Sequence, residues 1–559
     1  MPVASSTRAR QEIESDFKPL RGKDPTKARF LALGNGRVLL ALFSKVFGMG
    51  PVVMAQTFGA NVSELMKTTS GDYDVVHMSG DRKRKNVATV MSVAATGTIH
   101  DEEGLQQLLK LIDKMNPPDD YLIMPYGVTD GVLVQGANLS SADLANPAPG
   151  SRLEDDKGKY IRDLYRIVEK LLQTKPKLKI SIINTDNKDG NGTLITDMLL
   201  KIASIRNPAM TDQIKARVRA HETMVDLIAN PYKDDAGKMN LAVPEVEENL
   251  PKEHVVLEDS EGFIPAKVAA ELEANGFIIA REKDSVIKKY HPKKLRIMNA
   301  NHTAFVAAAA LSGHINTGSA VQDPAIDRYL RQLYVKDFTV IADELHIDRQ
   351  SLDQAFGEWM RRINRVHSTF WIAMNFPSKA VIRFVPTIRA LVARGRTPSK
   401  EMAYAIASNL RYLTCTRKSA DPLKPGVYIG FLDKGVCVPQ VDYERIGTNP
   451  ANQQGVFMTA EGNEYEFRFP NDPAIIDKLG TLIGTSQKDV EQGIRDVLGR
   501  IGATNKEKNN GPIVTMPELE PFIQNIVDMY YQMVRSQDRR TAMQVLQNSV
   551  LAGCPCCGN

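Results

Sequence analysis

The chain has 559 residues, 43% hydrophobic and 25% charged, with 71 basic against 66 acidic side chains and a formal net charge of +5. That length exceeds what a single core usually fills, so two domains are expected, and so mild a charge points away from nucleic acid. No apolar run has the length of a membrane span, and the five cysteines, an odd number, indicate a reducing, cytoplasmic setting.

Met1 to Lys27 reads as a polar leader without an apolar segment, unlike a secretory signal, and Glu12, Glu14 and Asp16 count against a transit peptide. Next comes Ala28 to Leu33, a short apolar run expected to be a buried strand. It is followed by the turn Gly34-Asn35-Gly36-Arg37, a helix over Val38 to Phe47 and a strand over Pro51 to Ala55, which together make a βαβ unit. The basic run Asp81 to Lys85 lacks interleaved aromatics and reads as a solvated loop. Ala88 to Thr98 is expected as a strand, Glu102 to Met115 as an amphipathic helix and Tyr121 to Val128 as a strand. A helix over Tyr160 to Gln173 and a strand over Leu178 to Ile183 continue the alternation of a parallel sheet with covering helices.

From about His291 helical spacing dominates: Leu295 to Ser312, Asp327 to Leu345, Ser351 to Val366, Ala380 to Gly395 and Lys400 to Leu413. A turn-rich, strand-prone interval precedes Phe469, and helices return from Asp472, interrupted by a polar linker at Gly502 to Pro512. The expected architecture is an α/β N-terminal Rossmann-type domain (28–288) after the leader (1–27). It is joined to a mostly α-helical C-terminal domain (289–559) carrying a small β-rich insertion at about 415–469. Cys554, Cys556 and Cys557 crowd the last six residues and read as an oxidation-prone tail, since a structural zinc site wants a fourth ligand.

Gly34 and Gly36 stand where a nucleotide-binding fold places its phosphate loop, one permitting the tight turn and the other a close backbone approach. Position 39 is Leu, so the third glycine of the usual fingerprint is missing, and taken alone the turn serves a structural loop equally well. No carboxylate follows the second strand before Glu64, and no Arg stands there, so the sequence leaves NAD and NADP open.

The segment Lys293 to Phe305 holds Lys294, Asn299 and His302. At about 100° per residue they fall near ~0°, ~140° and ~80° on a helix, compatible with one cleft. A desolvated lysine can take an alcohol's proton without a metal, and amides can donate to the developing oxygen. Solvated lysines at a helix start and a core histidine fit the same spacing. A second polar cluster, Asn184 to Gly192, follows a strand of the α/β half, where such folds place binding groups, although turns share its composition.

In this order the segments resemble the polyol-specific long-chain dehydrogenases, the family of mannitol 2-dehydrogenase and mannitol-1-phosphate dehydrogenase. Its Lys, Asn five positions on and His three further match Lys294, Asn299 and His302. Its Asp-Asn pair and following Asn-Gly match Asp186-Asn187 and Asn191-Gly192. Met224-Val225-Asp226 and Val385-Pro386-Thr387-Ile388 also have counterparts there. The resemblance implies NAD or NADP as cofactor, held at Gly34, Asn35, Gly36 and Arg37, with Lys294 as general acid/base and no catalytic metal. It further implies Asn187 and Asn299 on the reacting oxygen, His302 positioning substrate, and Asn191, Asp130 and Arg383 as substrate contacts, Asp130 standing in for a family glutamate. The expected reaction interconverts mannitol and fructose. Mannitol 1-phosphate and fructose 6-phosphate are the rival pair, because Arg361, Arg362, Arg365, Lys379 and Arg383 supply possible phosphate partners. A non-catalytic binding or regulatory protein on this fold is the rival of another class. Oligomeric state is not legible.

Overall fold

The computed structural model describes residues 17, 19–20, 23–34, 49–57, 73–78, 84–90, 93–99, 101–127, 139–141, 143, 158–185, 187–226, 230–233, 239–244, 255–314, 316–364, 367–373, 375–420, 427–433, 464–467, 473–501 and 512–552. The expected helix at 38–47, together with Asn35, Gly36, Arg37, Asp130, Asp186, Arg365 and the cysteine tail, lies outside the described residues.

The N-terminal strands are β1 (Phe30–Leu33), β2 (Val52–Gln56), β3 (Tyr73–Met78), β4 (Arg84–Val90), β5 (Val93–Thr98), β6 (Tyr121–Tyr126), β7 (Lys179–Asn184) and β8 (Val218–His221). Six form a sheet in the order β5-β2-β1-β6-β7-β8, with every neighbouring pair parallel. Chain order reverses between β1 and β6, which opens a crevice at the carboxyl ends of these strands. Strands β1, β2, β5 and β6 are buried at every position, as a sheet covered on both faces requires. Each fully buried Leu, Ile or Val contributes roughly 1.5–3 kcal/mol. Helix α1 (Glu102–Lys114) begins where the Asp101 carboxylate accepts from the Gly104 amide at 2.8 Å. Helices α2 (Lys159–Thr174) and α3 (Asn191–Arg206) complete this layer.

The single strand expected over Ala88 to Thr98 is two strands in different sheets. Strand β4 pairs antiparallel with β3, whereas β5 joins the parallel sheet beside β2. Apolar alternation continues across the break, so periodicity alone could not divide it. Arg84 and Lys85 of the basic run open β4 rather than sitting in a loop. Five strands follow: β9 (Thr223–Val225), β10 (Asn230–Lys233), β11 (Met239–Pro244), β12 (Val255–Glu258) and β13 (Phe277–Ala280). Strands β10 and β11 extend the β3–β4 pair, and β9, β12 and β13 form a further sheet.

The C-terminal half is mostly helical, as expected. A π-helical turn, Lys294–Asn299, runs into α4 (Ala300–Leu311), and after several shorter helical segments comes α5 (Arg349–Ile363). The helix expected over Ala380 to Gly395 is two, α6 (Phe376–Arg383) and α7 (Val385–Val392). The break falls at Phe384, two residues before Pro386, whose fixed ring suits the start of a new helix. Helix α8 (Lys400–Tyr412) is buried at every position from Glu401 onward, which makes it the central rod of this half, and α9 (Glu520–Val534) lies against it. The described part of the insertion is an antiparallel sheet of β14 (Cys415–Lys418), β15 (Tyr428–Phe431) and β16 (Glu464–Phe467).

Candidate active site

Gly34 ends β1 with φ of +83°, a left-handed conformation that favours glycine. A Cβ there would stand 2.6 Å from the Gly127 carbonyl oxygen, in the residue that follows β6. The Gly34 amide donates to Ala55 and the Gly127 amide to Leu33, at 2.9 and 2.8 Å. The turn is therefore pressed into the switch point of the sheet, where only backbone fits.

The loop after β7 carries the second group. Asn187 brackets the end of β9: its Nδ2 donates to the Val225 carbonyl at 2.9 Å, and its Oδ1 accepts from the Val225 amide at 2.7 Å. Asn191 is fully buried, with its amide engaged to Thr223. Its side chain thus fixes β9 to the start of α3, and the structure does not bring it out to a substrate. Glu222 caps the same helix, accepting from the amides of Gly192 and Thr193 at 3.2 and 2.8 Å.

Lys294 reaches this loop from the helical half. Its side chain is buried, and its ammonium donates to the Val225 carbonyl, the acceptor that Asn187 also uses. The Asp226 carboxylate stands 3.8 Å from Lys294 Nζ and 2.5 Å from Arg362 Nη1, and Arg362 Nη2 also donates to the Asp226 backbone carbonyl at 3.2 Å. Two cations flank the Asp226 carboxylate, and the buried Glu358 also acts on Arg362. His291 holds the frame: its Nδ1 lies 2.7 Å from Asp189 Oδ1, and its Nε2 lies 2.8 Å from the Thr223 carbonyl.

The π-turn matters for the third group. With i→i+5 bonding, the fifth residue along takes the place that the fourth holds in an α-helix. Asn299 therefore swings towards Lys294 instead of lying some 140° away, as an α-helical reading has it. The Asn299 side chain makes no hydrogen bond among the described residues, while its carbonyl accepts from Arg383 Nη1 at 3.2 Å. Arg383 Nη1 also donates to Thr303 at 2.7 Å, and its Nε is buried without a partner. Burial lowers the Arg383 guanidinium to about 10. His302 lies one turn on, its Nδ1 2.9 Å from the Met298 carbonyl and 3.0 Å from the Trp359 indole nitrogen. Burial, then the neighbouring His367, pushes its pKa down to about 3, so the ring is neutral.

Lys294, Asn187, Asn299, His302 and Arg383 thus stand on elements that adjoin one another. Of the arginines offered for phosphate, Arg362 is committed to Asp226. Sequence reasoning missed the roles of His291, Asp189 and Trp359. A histidine three residues before Lys294, one helical turn away, was the available signal for His291. Among the described residues no group of three His, Cys, Asp or Glu side chains forms a metal cluster, and no helix is long and apolar enough to cross a membrane.

A parallel sheet in Rossmann order with a helical domain appended defines the class. Two solved structures share the fold over nearly the whole chain. Pseudomonas fluorescens mannitol 2-dehydrogenase, solved as a ternary complex with NAD and D-mannitol, has a TM-score of 0.62 at 16% identity, covering 96% of this chain and 97% of that one. A substrate-free D-sorbitol dehydrogenase has a TM-score of 0.59 at 17% identity, covering 92% and 95%. Residues 286–427 match the mannitol dehydrogenase C-terminal domain. Altronate oxidoreductase of Cronobacter sakazakii is 25% identical over 239 residues, 41% of this chain and 48% of that protein. Mannitol 2-dehydrogenase of Phaeosphaeria nodorum is 30% identical over 161 residues, 27% of each. The chain spans about half the length of the first of these curated relatives. Residues 286–427 therefore carry the likeness to the mannitol dehydrogenase C-terminal domain, and the two solved structures carry the likeness of the whole fold.

Proposed function

We propose that this protein is a cytoplasmic, nicotinamide-dependent, metal-independent polyol dehydrogenase that interconverts mannitol and fructose, with Lys294 as general acid/base. Residues 28–288 form the dinucleotide domain in this reading, and 289–559 the substrate domain. The observation that carries it is the meeting of Lys294 and Asn187 on the Val225 carbonyl, beside the unengaged Asn299 amide. The carbonyl fixes the ammonium where a substrate hydroxyl can exchange a proton with Nζ. Asn299 and Asn187 donate to the oxygen as it becomes alkoxide or carbonyl. His302 orients a neighbouring hydroxyl.

The Gly34 turn fits a dinucleotide, because the crevice it lines admits no side chain. When bound there, NAD or NADP supplies the hydride acceptor. Asn35, Gly36 and Arg37 complete that site in the proposal.

A second reading, an anionic substrate, is favoured by Arg383, whose buried Nε lacks a partner and which forms no ion pair among the described residues. Fructose 6-phosphate, or a sugar acid of the kind named for the altronate relatives, would suit that guanidinium. Initial rates with fructose, fructose 6-phosphate and a ketouronate, each against NADH and NADPH, decide. Fructose turnover alone supports the neutral polyol. Turnover of an anion alone, with Arg383→Gln raising its KM at least about tenfold, moves the substrate to the second reading. No turnover of any ketose overturns the dehydrogenase proposal and favours a non-catalytic role.

A further inference from the structure

We infer that Trp359 is a positioning residue, whose indole N–H fixes the tautomer of His302 so that His302 presents Nε2–H, a donor, to the substrate. The consequence for turnover rests on the dehydrogenase reading above; the tautomer itself does not.

Two groups compete for His302 Nδ1. The Met298 carbonyl, 2.9 Å away, would accept a proton carried there, whereas the Trp359 Nε1–H, 3.0 Å away, needs a lone pair there. Indole nitrogen is a donor only, so both cannot be satisfied by one neutral ring. The carbonyl has an alternative. Met298 lies inside the continuous helical run from Lys294 to Leu311, where the backbone ladder supplies its oxygen with an N–H. Trp359 has none: it is 2% exposed, and its one polar atom points at His302. Leaving that N–H unmet in the interior is the costlier outcome, so the lone pair faces the indole and the proton sits on Nε2.

The indole is held for this role. Phe356 stacks on Trp359 with ring centroids 5.9 Å apart, and Tyr334 stacks on Phe356 at 4.1 Å and 5°. Phe305 meets Trp359 edge-on at 6.3 Å, and the His302 ring stands nearly perpendicular to the indole, at 82° and 5.3 Å. The Tyr334 hydroxyl donates to Asp353 at 2.5 Å, which anchors the far end of the stack. A ring clamped on several sides cannot turn its N–H elsewhere. A neutral imidazole with Nε2–H can donate to a substrate hydroxyl oxygen, whereas the other tautomer could only accept.

The test reads the tautomer directly. Protein labelled with ¹⁵N in its histidine rings is examined by two-bond proton–nitrogen correlation, and the His302 signals are assigned by their loss in His302→Asn. Wild type is expected to show the Nε2–H pattern. Trp359→Phe keeps the aromatic packing and removes the donor, and is expected to shift His302 towards Nδ1–H, bonded to Met298. It should lower kcat/KM about tenfold while NADH affinity holds. An Nδ1–H pattern in wild type overturns the inference, as does an unchanged pattern in Trp359→Phe. If that variant does not fold, the wild-type spectrum alone decides. A shifted tautomer with unchanged kcat/KM overturns the donor role of His302. Absence of any turnover in wild type sinks the dehydrogenase reading and leaves the tautomer result standing.

Discussion

Replacing Lys294 by Met separates chemistry from architecture, because the Val225 carbonyl and the Asp226 carboxylate beside the ammonium each have a second partner. The Val225 carbonyl keeps Asn187 at 2.9 Å, and Asp226 keeps Arg362 at 2.5 Å. Neither of these two acceptors is orphaned, and the thioether fills the volume of the lysine stem. Folding stability should therefore change by no more than about 1 kcal/mol, a shift of a few degrees in Tm. Turnover should fall far more. General acid/base catalysis contributes about 10²–10⁴-fold, and the upper end applies here, since Asp226 is held by Arg362 and cannot replace the lost amine. A ~10⁴-fold loss corresponds to about 5 kcal/mol of transition-state stabilisation. The assays are ketose-dependent oxidation of reduced nicotinamide, a fluorescence titration of the cofactor and a melting curve. A loss of turnover below about tenfold would refute the role assigned to Lys294. A parallel loss of cofactor affinity would place the lysine in the wrong site.

Gly34→Ala meets both a positive φ and the Gly127 oxygen at 2.6 Å, so it should weaken NADH binding at least about tenfold in a titration. An unchanged affinity would remove the β1 turn from the cofactor site. Asp337 titrates differently in the folded chain: burial, opposed by hydrogen bonds from Ser399, raises its carboxyl to about 6. The folded state then holds this proton more tightly than the unfolded chain, so the gain is present below the ordinary value of 3.8 and is lost as pH rises through about 6. Asp337→Asn should remove that slope and stabilise the protein at neutral pH by up to about 3 kcal/mol, read from melts between those limits. A chelator should leave activity unchanged; activity lost to it and restored by zinc would contradict the metal-independent proposal.

Strands β1, β2, β6 and β7 were readable in the sequence because each is a short, mostly apolar run before a turn, as around Leu31 and Ile182, whereas β8, Val218–His221, alternates with polar residues and was not. The β4–β5 break was not, since alternation passes through it while the pairing partners change. At the site, the spacing of Lys294, Asn299 and His302 is local and visible. The π-turn that gives this spacing its geometry leaves no mark in composition, and a uniform helical angle sets Asn299 about 140° from Lys294, farther round than the π-turn does. Asp226 and Arg362 are 136 residues apart, so each alone reads as a surface charge. Trp359 has the apolar helical setting of a core residue, and only its contact with His302 distinguishes it.

The least legible feature, a backbone carbonyl, has the largest structural consequence. Val225 receives Asn187 from the α/β half and Lys294 from the helical half, so one oxygen registers the two halves at the site. Its amide is held by Asn187 as well, and the neighbouring Thr223 is braced by Asn191 and His291. The short strand β9 thus works as a fixed post between the Asn-rich loop and the helical run that starts at Lys294. A side chain carrying the same acceptor would add rotatable bonds and loosen the position of the ammonium, whereas a carbonyl bracketed on both sides has none. In such an arrangement the Asn-rich loop fixes the post while, in the proposed reaction, the helical lysine presents the proton. This division of labour explains why two clusters about a hundred residues apart in sequence serve one site.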